Sequence, residues 1–125
     1  MRLVILIGIG GMIGSMLRYA VASSIFKIIP ATFPYGTFIV NISGCVLIGF
    51  ISGLSLRYSW LKPELRIFLI TGICGGYTTF SSFAFENFQL LQDRDYMTFA
   101  LYSFFSFAGS LAAVLAGLYL TRINF

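Results

Sequence analysis

The chain has 125 residues, 58% apolar and only 10% charged, with a mean hydropathy of +0.93. A soluble domain carries about a quarter charged residues. Eight Lys/Arg and four Asp/Glu cannot cover so apolar a globule, so the sequence reads as an integral membrane protein. The absence of histidine excludes Ser-His and Cys-His catalysis, an imidazole metal site and a histidine proton relay. A net charge of +4 carried by unclustered basic residues suits flanking anchors in a lipid bilayer, not nucleic acid.

At about 20 residues per span, the length admits four spanning helices in one domain over 1–125 and no extramembrane catalytic domain. The first span is expected over about 3–26 and ends before Lys27 and Pro30. It lacks a small-residue cleavage site, which argues against a signal peptide. It holds Gly8, Gly10, Gly11, Gly14 and Ser15, and Gly10 and Gly14 form a GxxxG pair. The second, over about 35–56, is entered through Pro34 and closed by Arg57, Tyr58, Ser59 and Trp60. The third, about 64–91, begins at Pro63 and Glu64, which suit a helix first turn. The fourth covers about 96–120, with Arg122 beyond it. Tyr35, Tyr58, Trp60 and Tyr96 fall at span ends, as an aromatic belt would. Cys45 and Cys74 lie in apolar runs and read as inert buried thiols without a disulfide.

Both termini share one side with Arg2, Arg57, Lys62, Arg66 and Arg122, against Lys27 and Arg94 on the other. This bias favours cytoplasmic termini. Small residues four apart recur at Gly10/Gly14, Gly49/Gly53 and Gly109/Ala113/Gly117. Such faces let helix backbones approach; packing inside the bundle accounts for most of them, but three helices so marked in a four-helix chain point to an oligomer interface beyond it.

Polar groups at membrane depth are the informative residues. Thr37 and Asn41 share one face of the second span, while Tyr102, Ser106 and Ser110 make a stripe along the fourth. A span serine commonly bonds its own helix, so each alone reads as structural. A stripe facing an amide reads as a transport path. The third span holds Thr71-Gly72-Ile73-Cys74-Gly75-Gly76-Tyr77-Thr78-Thr79-Phe80-Ser81-Ser82-Phe83, a poor helix interior. A helix broken at this depth must be buried in protein or line an aqueous cavity. It frees carbonyl oxygens and creates a helix N-terminus that favours anions; a kinked packing helix is the plain alternative. Phe80 and Phe83 share a face after the break, and a ring edge carries the positive end of a quadrupole. Arg18 and Glu86 lie within apolar runs, in a vestibule or as structural braces.

The segments Gly11-Met12-Ile13-Gly14-Ser15-Met16-Leu17-Arg18-Tyr19, Gly36-Thr37-Phe38-Ile39-Val40-Asn41-Ile42-Ser43-Gly44 and Gly72 through Phe83 together resemble the Fluc-type (CrcB) fluoride channel family. The resemblance covers nearly the whole chain, and the third segment is the most specific. It implies an all-α membrane protein of four spans with a broken third helix, forming an antiparallel, dual-topology homodimer with two fluoride pores. It implies passive fluoride export from the cytoplasm, across a bacterial inner membrane, that relieves fluoride toxicity. Asn41, Phe80, Phe83, Thr37, Tyr102, Ser106 and Ser110 correspond to pore positions, with Glu86 near the mouth. The resemblance also implies a structural sodium ion held by the carbonyls of Gly75 and Thr78. Dual topology overrides the small basic bias counted above.

A small multidrug antiporter would need a carboxylate in the first span, and residues 3–26 contain none. A structural subunit of a larger complex would need neither the break nor the hydroxyl stripe. An intramembrane enzyme would lack an acid/base pair.

Overall fold

The computed structural model describes residues 1–123, and every regular element among them is helical. Helix α1 (Arg2–Ile28) and α2 (Tyr35–Arg57) form the first two spans. The third span runs from Pro63 to Gln92 in pieces. It starts as α3 (Pro63–Ile67), widens into a π-helical stretch (Phe68–Cys74) and closes with one turn, α4 (Gly75–Tyr77). After an extended step at Thr78 and Thr79 it resumes as α5 (Phe80–Gln92). The last span is α6 (Tyr96–Ile123).

The expected spans are all present, each longer at one or both ends by one to three residues. At about 1.5 Å per residue, α1 is roughly 40 Å long, enough to cross a hydrocarbon core of about 30 Å at a tilt. Pro63 opens the third span at the first turn, where its missing N–H costs nothing. Arg94 takes a left-handed conformation (φ 58°) between α5 and α6. Asp95 Oδ1 then accepts the Thr98 N–H at 3.2 Å and caps the α6 N-terminus.

Two packed pairs make the bundle: α2 lies along α6, and α1 lies against the first half of the third span. Their closeness comes from the glycine stripes. A Cβ on Gly14 would strike the Ile73 carbonyl oxygen, and one on Gly10 would sit 2.9 Å from Gly72 Cα. In the other pair, a Cβ on Gly49 would meet the Val114 oxygen and one on Gly117 the Val46 oxygen. The glycine stripes of α1, α2 and α6 therefore serve packing within the chain, and they lend no support to an oligomer interface.

At the end bearing the N-terminus, Arg2 and Glu64 form an ion pair of 3.3 Å with both side chains well exposed. Exposed pairs contribute little. Glu64→Gln is expected to shift the unfolding midpoint in detergent by less than about 1 kcal/mol equivalent.

Only 11–22% of each spanning window is buried inside the chain. The accessible surface is 8054 Å², against about 6,600 Å² for a compact soluble protein of this mass. Exposed Met16, Phe104, Phe107 and Leu115 are part of that excess. The four long apolar helices make this a multi-pass membrane protein, with its outer faces left to lipid or to another chain.

Candidate functional site

The break in the third span is held open by named hydrogen bonds. Asn41, on α2, brackets the backbone of Thr79: its Oδ1 accepts the Thr79 N–H at 2.8 Å, and its Nδ2 donates to the Thr79 carbonyl at 3.0 Å. Because a backbone N–H can only donate, the amide orientation of Asn41 follows. One of its two Nδ2 hydrogens is left over. Thr79 is the N-cap of α5, with its Oγ1 accepting the Ser82 N–H at 3.1 Å.

These bonds divert the amides that an unbroken helix would give to its own carbonyls. In a continuous α-helix, Thr79 N–H would serve Gly75 and Ser82 N–H would serve Thr78. Here the first goes to Asn41 and the second to Thr79 Oγ1. The carbonyls of Gly75 and Thr78 are freed together. The break itself falls at Thr78–Thr79; Gly75 stays helical (φ −63°, ψ −39°), contrary to what a glycine pair mid-span suggests. Gly76 is where α1 approaches, since a Cβ there would sit 2.5 Å from the Gly11 oxygen.

Beyond the break, aromatic rings form a chain. Phe80 and Phe83 have centroids 5.6 Å apart, Phe83 and Tyr102 5.0 Å, and Tyr102 and Phe33 5.3 Å. Phe80 is 78% exposed on the outer face, whereas Tyr102 is fully buried. The Tyr102 hydroxyl donates to Glu86 Oε2 at 2.9 Å, and Thr37 Oγ1 donates to Glu86 Oε1 at 2.5 Å. Thr37, Glu86 and Tyr102, from three spans, thus form one cluster. Two of its members, Thr37 and Glu86, line a cavity of about 440 Å³ that reaches the α1–α2 connection and is also lined by Gln89 and Asp93.

A second hollow, a groove of about 740 Å³, runs between α2, α5 and α6. Asn41, Phe80, Phe83, Ser106 and Ser110 line it, and no Lys or Arg does. Ser15, Ser23, Ser24 and Ser43 each bond a carbonyl of their own helix, as span serines commonly do. Ser106 does not: its Oγ is buried with no partner among the described residues. The stripe on the fourth span and the Thr37/Asn41 face therefore do converge on α5.

Arg18 is not brought to either hollow. It lies half-buried on the α1 face that carries Gly14. Three participants escaped the sequence reading: Thr79 as bracketed cap, Phe33 in the ring chain, and Asn87, whose buried Oδ1 has no partner among the described residues. A threonine immediately before the Phe80–Phe83 run was the available signal for the cap. Cys45 and Cys74 are free thiols.

A family profile described as CrcB-like protein, Camphor Resistance (CrcB), matches residues 5–118. A protein of Azobacteroides pseudotrichonymphae named fluoride-specific ion channel FluC is 49% identical over 122 residues, covering 98% of each chain. Its namesake in Flavobacterium psychrophilum is 44% identical over 98% of each chain. That of Chlorobium chlorochromatii is 46% identical over 95% of this chain and 92% of its own. With its motifs, its four spans and this match over nearly its full length, the chain belongs to the CrcB-like family of fluoride channels.

Proposed function

We propose that the protein is a passive, fluoride-selective channel of a bacterial inner membrane, exporting fluoride from the cytoplasm and so relieving its toxicity. It works as an antiparallel, dual-topology homodimer with two pores. The observation that carries this is the groove at the helix break. It offers hydroxyls, an amide hydrogen and phenylalanine rings, and no cationic side chain.

Fluoride is small and strongly hydrated, so a pore must replace its water with donors that also let it leave. Ser106, Ser110, the free Nδ2 hydrogen of Asn41 and the ring edges of Phe80 and Phe83 each supply partial positive charge. Several weak sites in series permit exit, whereas one fixed Lys or Arg would trap the ion. Thr37, Tyr102 and Glu86 sit at the mouth, where both Glu86 oxygens are already engaged by hydroxyl donors. That engagement restrains the carboxylate from competing along the path.

A second copy suits the surface excess and the 78% exposure of Phe80, which in a lone chain would face lipid. A structural sodium ion suits the break. Gly75 and Thr78 would hold it through their freed carbonyls, doubled to four oxygens by the second copy, and Gly75 is exposed on the outer face. Unwound carbonyls at a half-helix C-terminus are a hard-oxygen donor set for such a cation. The ion would neutralise the negative helix ends that meet there.

The test is fluoride efflux from liposomes, followed by electrode with a potassium ionophore and a chloride-loaded control. Rapid fluoride loss that requires the ionophore, without chloride loss, is expected. Loss without the ionophore would mean proton coupling, and no loss from folded protein would return a purely structural role. Phe80→Ile keeps bulk but removes the ring, and is expected to slow efflux about a hundredfold with the oligomer intact. Unchanged efflux would remove Phe80 from the path.

A further inference from the structure

We propose that Asn87 is a further anion-contacting residue, a second amide on the path beyond Asn41; this rests on the channel reading above. Along α5, Phe80, Phe83, Ala84 and Asn87 follow a three-and-four spacing, and all four line the groove. Asn87 is 7% exposed, and its Oδ1 is sealed from solvent without a hydrogen bond among the described residues. Ser106, lining the same groove from α6, is 8% exposed with its Oγ likewise unpartnered.

A buried amide with an unmet acceptor destabilises the fold, and leucine has nearly the same shape. If Asn87 only filled the α5–α6 seam, the apolar residue would do it better. The Nδ2 end differs from the Oδ1 end. No hydrogen bond engages it among the described residues, so both its N–H groups are uncommitted at a residue that lines the groove. Asn41, by contrast, has one Nδ2 hydrogen committed to the Thr79 carbonyl. Asn87 therefore presents more unengaged amide hydrogen to the groove than Asn41 does. An anion passing Phe83 meets this donor pair and the Ser106 hydroxyl next.

The experiment compares wild type, Asn87→Leu and Asn87→Gln in liposome fluoride efflux, with unfolding midpoints in detergent measured on the same preparations. Asn87→Leu is expected to slow fluoride efflux about tenfold, the loss of one hydrogen bond to a charged species. Its unfolding midpoint is expected to hold or rise, because an unmet acceptor is removed. Asn87→Gln, which keeps the N–H pair, is expected to recover part of the rate. Wild-type efflux in Asn87→Leu overturns the proposal. So does a fall in rate that comes with a lowered midpoint, which marks a bracing role instead. If the wild type itself moves no fluoride, the channel reading and this inference fall together; if it does and Asn87→Leu matches it, only this inference falls.

Discussion

Asn41→Leu is expected to stop fluoride efflux and to loosen the third span in the same protein. The side chain makes two hydrogen bonds to one residue, 2.8 Å from Thr79 N–H and 3.0 Å to the Thr79 carbonyl. Thr79 is buried, so water replaces them poorly. The paired loss is expected to cost about 2–4 kcal/mol, read as the unfolding midpoint in a denaturing detergent. Asn41→Asp separates the two roles. In its protonated form the carboxyl accepts from Thr79 N–H and donates to the Thr79 carbonyl, so the midpoint is expected to lie nearer wild type, while no spare N–H is left to offer an anion. Normal efflux in either variant would exclude Asn41 from the path.

Gly14→Val is the second change of large expected effect, and its action is wholly steric. The added Cβ would strike the Ile73 oxygen and lie 2.8 Å from Tyr77 N. Both are backbone atoms, so no rotamer relieves the clash and α1 must leave its groove. A loss of about 3 kcal/mol or more is expected, with little monodisperse protein surviving size-exclusion chromatography. Gly8→Val is the control on the same helix: a Cβ there meets nothing within 4 Å, and normal yield is expected. Poor yield from both would point to an effect on insertion, not to the contact with Ile73.

Four spans were legible because the bilayer imposes length and apolarity, which composition reports directly. The polar faces were legible too, since a residue such as Asn41 or Ser106 has no cheap place in hydrocarbon. What periodicity could not carry was the partner. The glycine stripes announced close backbones, yet whether those backbones belonged to the same chain was decided by Gly72 and Val114, distant in sequence. The break sits at two threonines and not at the adjacent glycines because Asn41, 38 residues earlier, supplies the acceptor that the Thr79 amide needs. The π-helical stretch Phe68–Cys74 has an ordinary apolar composition, and nothing local distinguishes it. Asn87 escaped notice because a lone asparagine near an expected span end reads as interfacial. Only its burial without a partner among the described residues singles it out.

The bracket between Asn41 and Thr79 also bears on how the chain enters the membrane. Synthesis runs from the N-terminus, so α2 is made before the third span, and the clamp waits for the residue it will hold. The third span arrives with an interruption that its own helix cannot satisfy, and a bilayer accepts such a segment poorly by itself. Insertion of the third span is thereby tied to its predecessor already standing beside it. The same two hydrogen bonds that shape the groove in the finished protein set the order in which its walls can be assembled.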